Sequence, residues 1–327
     1  VLHGDYCTTY QKPPHHFKSR AYGKREPTMS YDRDRASAIR ALVAPEDIWT
    51  LRESAESLFA DSLRRLPKKE VSEDERRYPT SPEGLRAFLD AFFARHYFQI
   101  QDSLIEYFSG RAFESAAQRG SIHIADVGSG PAVASLAIAD LASAALEVTS
   151  KTGKLRGSGV ITVHCVLNDT SDICLAEGRA ILERYNRART GRASIGRILP
   201  LSTPFPDSNT HFRRVAHMTA PYDICCLGYV MVPLSEQIGV DGTTKAIRLL
   251  AQAGNTNGGH LLLTQDKFRE DLHDEICHAM GVAAEMAELK QRVYDSENQN
   301  SEHTYTYCRS CSAISEIAAA NSVVAIA

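Results

Sequence analysis

From about residue 120 onward the apolar positions alternate between two rhythms. Short apolar runs, "SIHIADV" (121–127), "GVITVHCVL" (159–167), "ASIGRILPL" (193–201), "YDICCLGYVMV" (222–232) and "GGHLLLTQD" (258–266), predict strands, the first of them rich in β-branched residues and read as buried. Between them the apolar residues recur every three or four positions, as at Val133, Leu136, Ala137 and Leu141, in "SDICLAEGRAILERYNRA" (171–188) and in "TTKAIRLLAQAG" (243–254). That spacing predicts helices. A long amphipathic segment follows at 269–293, and "EHTYTYC" (302–308) and "NSVVAIA" (321–327) read as late strands closing one edge. Strand–helix alternation of this kind predicts an α/β domain over 119–327, a mostly parallel sheet with helices on both faces.

The preceding region has one rhythm only. "APEDIWTLRESAESLFADSLRRL" (44–66) places Ile48, Leu51, Leu58, Phe59 and Leu63 on a recurring face. In "SPEGLRAFLDAFFARHYFQIQDSLIEYFSGRAFESA" (81–116), Ser81 stands as N-cap and Pro82 at the first helical position. Residues 41–118 are therefore expected to be helical, their aromatics packing against the following domain. Residues 1–40 hold eight Lys/Arg against four Asp/Glu, with little periodicity, and read as a flexible basic tail. The run from Met29 resembles a natural start, so residues 1–28 read as an upstream extension or processed remnant.

Composition narrows the picture modestly. At 327 residues and 43% hydrophobic the chain can bury a large core, and its net charge of −3 gives no global case for nucleic-acid binding. No apolar run is read as reaching the ~20 residues of a membrane span, and no secretory signal is seen, so a cytoplasmic protein without a membrane is expected. Of eight cysteines, Cys165, Cys225 and Cys226 fall within strand-like runs, as small hydrophobes do. Cys308 and Cys311 form a single CxxC, half a zinc site at most, which His273, Cys277 and His278 would have to complete. Reduced thiols are the favoured reading, and no metal is expected.

The chemistry is concentrated after the first strand. Ile122–Val127 runs into Gly128, Ser129, Gly130 and Pro131 before a helix begins. Two glycines free the backbone for positive φ, and a proline fits a first helical turn. A strand, a glycine turn and a helix bring backbone N–H groups up to a nucleotide-like ligand. No Gly-Lys-Ser/Thr follows, which excludes a P-loop, and Val133 stands where the third small residue of a dinucleotide fingerprint belongs. The next strand ends at Asp169, placed to accept hydrogen bonds from ribose hydroxyls or simply to cap the next helix.

The run "ADVGSGPAVASLAI" (125–138) resembles motif I of the class I S-adenosylmethionine-dependent methyltransferases, a Rossmann-like family. "LNDTSDICLAEGRAIL" is similar to the family's second motif, "YDICCLGYVMVPLSE" to its fourth, and "AGNTNGGHLLLTQD" to the turn into strand five, together covering about 120–265 in order. The resemblance implies S-adenosyl-L-methionine as cofactor. Asp126, Gly128, Ser129 and Gly130 would shape the pocket for its methionine part, and Asp169 with Thr170 would hold the ribose. Gly228 and Tyr229 would lie near the ligand-facing strand end, and the 197–207 loop beside the adenine. Ala132 departs from the pattern, standing at the family's third glycine, where a methyl would crowd the cofactor if the backbone required φ > 0.

No acceptor signature accompanies these motifs, and no catalytic residue is assigned. The Asp/Asn-Pro-Pro-Tyr/Phe motif of amine methyltransferases is absent, and Cys226 in "ICCLG" lacks the proline of cytosine C5 enzymes. Tyr229, Glu236, Asp266 and Lys267 follow strand ends where acceptors bind, and His96 and Tyr97 are candidates for a lid. The leading expectation is methyl transfer to RNA, a protein or a small molecule, the basic tail favouring RNA or a ribonucleoprotein partner. A catalytically degenerate binding or assembly protein on the same fold is the alternative, since fold alone does not carry chemistry. A nicotinamide oxidoreductase ranks third.

Overall fold

The computed structural model describes residues 32–151, 159–188, 191–292 and 302–324. The basic tail and the 1–28 expectation lie outside them, except that helix α1 (Arg33–Val43) begins within the span expected to be tail. Its N-cap Asp32 accepts from the Arg35 amide at 3.1 Å. A two-residue strand β1 (Ile48–Trp49) interrupts the helical region, followed by α2 (Glu53–Arg65), the short α3 (Glu73–Arg77), the long α4 (Pro82–Ser109) and α5 (Arg111–Arg119). Ser81 caps α4 by accepting from the Gly84 amide at 3.0 Å, with Pro82 at its first position, as the sequence pattern predicts.

Alternation then sets in with β2 (Ser121–Val127), α6 (Val133–Lys151), β3 (Ile161–Asn168), α7 (Asp172–Ala188), β4 (Ala193–Leu201), α8 (Asn209–Met218), β5 (Ile224–Gly228), α9 (Met231–Ala251) and β6 (His260–Asp266). The chain continues through α10 (Glu270–Met280), β7 (Glu285–Arg292), β8 (Glu302–Ala313) and α11 (Ile314–Val324). The strands form one sheet in the order β1-β7-β8-β6-β5-β2-β3-β4. Every pairing is parallel except those of β8, which runs antiparallel to β6 and β7. Two apolar clusters cover the two faces. Ile122, Ile124, Val163 and Leu262 meet α1, α4, α6 and α7, whereas Ala125, Val127, Val166 and Leu263 meet α8, α9 and α10.

Three expectations need correction. The segment 269–293 is not one amphipathic stretch: α10 ends at Gly281, whose φ of 72° suits a helix C-cap, and the chain returns as β7. The described part of "NSVVAIA", 321–324, is the end of α11 and not a strand, because β8 already closes on β6 and the chain from Ile314 turns into a helix; 325–327 lie outside the described residues. Finally, α6 is long and apolar enough to cross a membrane, contrary to the reading that no run reaches that length. Nearly all of it is buried between the sheet and α4, which explains its apolarity without a bilayer.

Candidate functional site

The direction of strand order reverses between β2 and β5: β3 and β4 succeed β2 on one side, β6 succeeds β5 on the other. Open α/β sheets bind ligands beyond the carboxyl ends of the strands at such a reversal. A cavity of about 680 Å³ lies there. Asp126, Gly128, Ser129, Gly130, Asp169, Thr170, Gly228 and Tyr229, the eight residues singled out from the sequence, all line it.

The glycine turn is shaped by its neighbours as well as by its own freedom. Gly128 and Gly130 have φ of 63° and 49°. A Cβ on Gly128 would stand 1.8 Å from Val230 Cγ1, so Val230 packing alone demands a glycine there. On Gly130 a Cβ would meet only Phe88, at 3.8 Å, so its backbone is approachable. Ala132 also adopts φ 60°, yet its methyl turns to α7: a Cβ on Gly178 would lie 2.9 Å from it. The departure from the family's third glycine is thus absorbed by the helix, not by the cavity.

Asp169 binds both sides of the crevice. Its Oδ2 accepts from the Gly130 amide at 2.8 Å and its Oδ1 from the Ser171 amide at 2.8 Å; the cap of α7 is Ser171 itself, whose Oγ accepts from the Cys174 amide at 3.4 Å. Each carboxylate oxygen has a second lone pair, leaving capacity to accept from a diol. Burial raises the pKa of Asp169, opposed by these backbone hydrogen bonds. Burial likewise pushes Asp126 up to about 7, against the hydrogen bonds its Oδ2 accepts from Ser135 Oγ at 2.7 Å and the Ser135 amide at 3.2 Å. A cationic group in the cavity would be favoured beside these two carboxyls.

The helical region supplies further walls, of which the sequence marked only His96. A strap comprising Arg77, Tyr78, Pro79 and Thr80 lines one side, tied down where Pro79 accepts from Ser171 Oγ at 2.6 Å. Glu75 fixes the strap to α4 by accepting from Ser81 Oγ at 2.6 Å and Thr80 Oγ1 at 2.8 Å; these bonds hold its pKa down to about 2. Phe88, His96 and Ile100 of α4 reach the cavity, as do Pro204 and Phe205; of the 197–207 span expected to be loop, 197–201 belong to β4 and only the rest is loop. Of the two lid candidates, only His96 does so. Tyr97 is buried and donates to Asp140 Oδ2 at 2.5 Å.

Other candidates are used elsewhere. Asp266 pairs with Arg95, and Glu236 lies 3.8 Å from Arg269. Cys226 is fully buried and its thiol pKa is raised well above the ordinary value by burial, so it stays protonated and structural. Cys308 and Cys311 point to opposite faces of β8, Cys308 toward Met286 Sδ at 3.4 Å, so the pair cannot converge on one ion. Among the described residues no cluster of three or more His, Cys, Asp or Glu could hold a metal.

No family model and no curated protein matches this sequence. Among solved structures, the chain is similar to a SAM-dependent methyltransferase from Agrobacterium tumefaciens, at 13% identity and a TM-score of 0.36 over 66% of this chain. It spans 60% of that protein's chain. It is also similar to the METTL16 methyltransferase domain (11% identity, TM-score 0.37, 83% of this chain and 85% of that one). A third is a putative RNA methyltransferase from Pyrococcus horikoshii (14% identity, TM-score 0.28, 80% and 98%). The ground for the fold is the chain's own: seven strands in the order β7-β8-β6-β5-β2-β3-β4 with β8 alone reversed, a glycine turn after the central strand, and an acid at the end of its neighbour. The chain has the class I S-adenosylmethionine-dependent methyltransferase fold.

Proposed function

We propose that this protein transfers a methyl group from S-adenosyl-L-methionine to an acceptor held against α4. The observation that carries the reading is the shared cavity: the ends of β2, β3 and β5 deliver the glycine turn, Asp169 and Gly228–Tyr229 to one crevice. Its volume, about 680 Å³, lies within the range of small-molecule sites. When bound, the cofactor supplies an electrophilic methyl on a sulfonium.

The chain's own part is binding, orientation and exclusion of water. Asp169 accepts hydrogen bonds from the ribose hydroxyls while keeping the Gly130 amide in place. Asp126, buried beneath the turn, would hold the methionine ammonium, and Phe205 and Pro204 would flank the adenine; all three line the cavity. The strap and the α4 aromatics shield the opposite side, so that positioning in a dry site supplies much of the rate. Ala132 gives no reason to prefer a degenerate protein, because its methyl packs on Gly178.

The test is calorimetric titration of the purified chain with S-adenosylhomocysteine, with NADH as control. Saturable binding of the first alone is expected. Absence of binding in folded protein overturns the proposal, and selective NADH binding replaces it with an oxidoreductase.

A further inference from the structure

The wall of the cavity nearest the end of β5 is a column of aromatic rings. Phe92 stacks on His96 at 5.5 Å between centroids, and His96 stacks on Tyr229 at 3.6 Å with the planes 13° apart. Phe88 meets His96 edge-on at 5.9 Å and also reaches Gly130, so the column adjoins the glycine turn directly. The neighbouring lining, Ile100, Val230, Pro233 and Leu234, is apolar, and Arg77 is the only Lys or Arg among the lining residues. Burial, with the Arg95 charge nearby, holds the pKa of His96 well below its ordinary value, so its imidazole is neutral.

Tyr229 holds its place in the column against local preferences. Its φ of 63° is one that bulky L side chains rarely adopt. Its hydroxyl is buried without a hydrogen-bond partner among the described residues. Thr264 Oγ1, on the α4-facing side of β6, and both polar atoms of the fully buried Gln99 side chain, one turn along α4 from His96, also lack partners. Strained backbone and unpaired buried polar groups cluster at functional sites.

We infer that the acceptor is a nucleobase, which takes the place of the Tyr229 ring on His96. A base offers the same flat aromatic face as the tyrosine. Tyr229 leaves the left-handed region as it swings aside, and Arg77, paired with Glu73 at 3.0 Å at the surface, exchanges that partner for a phosphate. A lone pair on the acceptor nitrogen forms the new N–C bond as the S–C bond breaks, leaving a neutral thioether. The methylated nitrogen, cationic after the transfer, then releases its proton to solvent, His96 serving only as the stacking face. This rests on the methyl-transfer reading of the same cavity.

The experiment is calorimetry on the full chain saturated with S-adenosylhomocysteine, titrated with each of the four ribonucleosides, with short single-stranded RNA and with a lysine-rich peptide. Saturable binding of at least one nucleoside or of the RNA is expected. Similar affinities assign a free nucleoside as the acceptor, and a gain of about tenfold in the RNA assigns a polynucleotide, phosphate contacts adding to the base. His96→Ala should weaken base binding roughly tenfold, whereas His96→Phe, which keeps a stacking face, should retain it. Tyr229→Ala should tighten it roughly threefold, because no ring has to be displaced. Binding of the cofactor product with no response to nucleosides or RNA overturns the inference alone, as does capture of the peptide instead. Equal losses in His96→Phe and His96→Ala overturn the stacking role. Failure to bind S-adenosylhomocysteine at all removes the methyl-transfer reading, and this inference with it.

Discussion

Asp169 Oδ2 accepts a hydrogen bond from the Gly130 amide at 2.8 Å, tying the end of β3 to the turn that follows β2. One carboxylate thereby both shapes the glycine turn and faces the cavity that the turn encloses. Replacing it with alanine removes a charge-assisted acceptor worth about 1.5–3 kcal/mol. Asp169→Ala should therefore weaken S-adenosylhomocysteine binding by roughly tenfold to a hundredfold, read by calorimetry on protein shown to be folded by circular dichroism. Unchanged affinity would remove Asp169 from the site.

Asp126 predicts a pH dependence with a definite sign. Burial raises its folded pKa to about 7 from an ordinary 3.8, so the folded protein holds a proton that the unfolded chain releases. Its contribution to stability is present below about pH 4 and is lost as pH rises from there through about 7. Asp126→Asn should flatten that part of the stability profile. A bound ammonium favours the ionised carboxylate, so S-adenosylhomocysteine binding near pH 6.5 should release protons and tighten as pH rises through 7. Calorimetry in two buffers of different ionisation enthalpy measures this release, and identical heats in both would show that Asp126 does not respond to the ligand.

What was legible in the sequence follows from what is local. The strand at 121–127, its glycine turn and the following helix are contiguous, so periodicity and backbone chemistry reveal them together. The capping of α4 by Ser81 is equally local. The strap at 77–80 was not legible, because its role depends on a hydrogen bond from Ser171, 92 residues away. The column formed by Phe92, His96 and Tyr229 likewise joins a helix to a strand end more than 130 positions on. "NSVVAIA" misled because a short apolar run has no periodicity that separates strand from helix.

Ala132 and Gly178 form a matched pair whose exchange has unequal consequences. Ala132→Gly relieves a left-handed residue of about 1 kcal/mol of strain but removes a buried methyl worth about 0.8 kcal/mol, so stability should change by less than about 1 kcal/mol. Gly178→Ala drives a Cβ to 2.9 Å from the Ala132 methyl and the Pro131 carbonyl carbon, and should cost about 1–3 kcal/mol. Urea denaturation of the two variants tests the asymmetry. Equal effects would mean that the methyl does not rest on α7.

Asp102 locks the helical region to the far side of the sheet. From α4 it accepts from Arg40 of α1 at 2.6 Å, and from Arg309 at 2.7 Å and Tyr307 Oη at 2.9 Å, both on β8. The carboxylate is 5% exposed, whereas Arg40 is 40% exposed and Arg309 23%. Removing the carboxylate leaves Arg309 partly desolvated, though it keeps Glu285 and the Asp102 carbonyl at 3.2 Å, while Tyr307 falls back on the Gln99 carbonyl at 3.3 Å and Arg40 recovers water. Asp102→Ala should thus cost about 2 kcal/mol, below the 3–5 kcal/mol typical of a fully buried pair. Asp102→Asn keeps an acceptor for Tyr307 and should cost less. Because Asp102 does not line the cavity, S-adenosylhomocysteine affinity should persist below the new melting temperature. Thermal denaturation and calorimetry on the same preparations separate the two effects, and a loss of affinity matching the loss of stability would mean that α4 cannot hold the cavity wall without this lock.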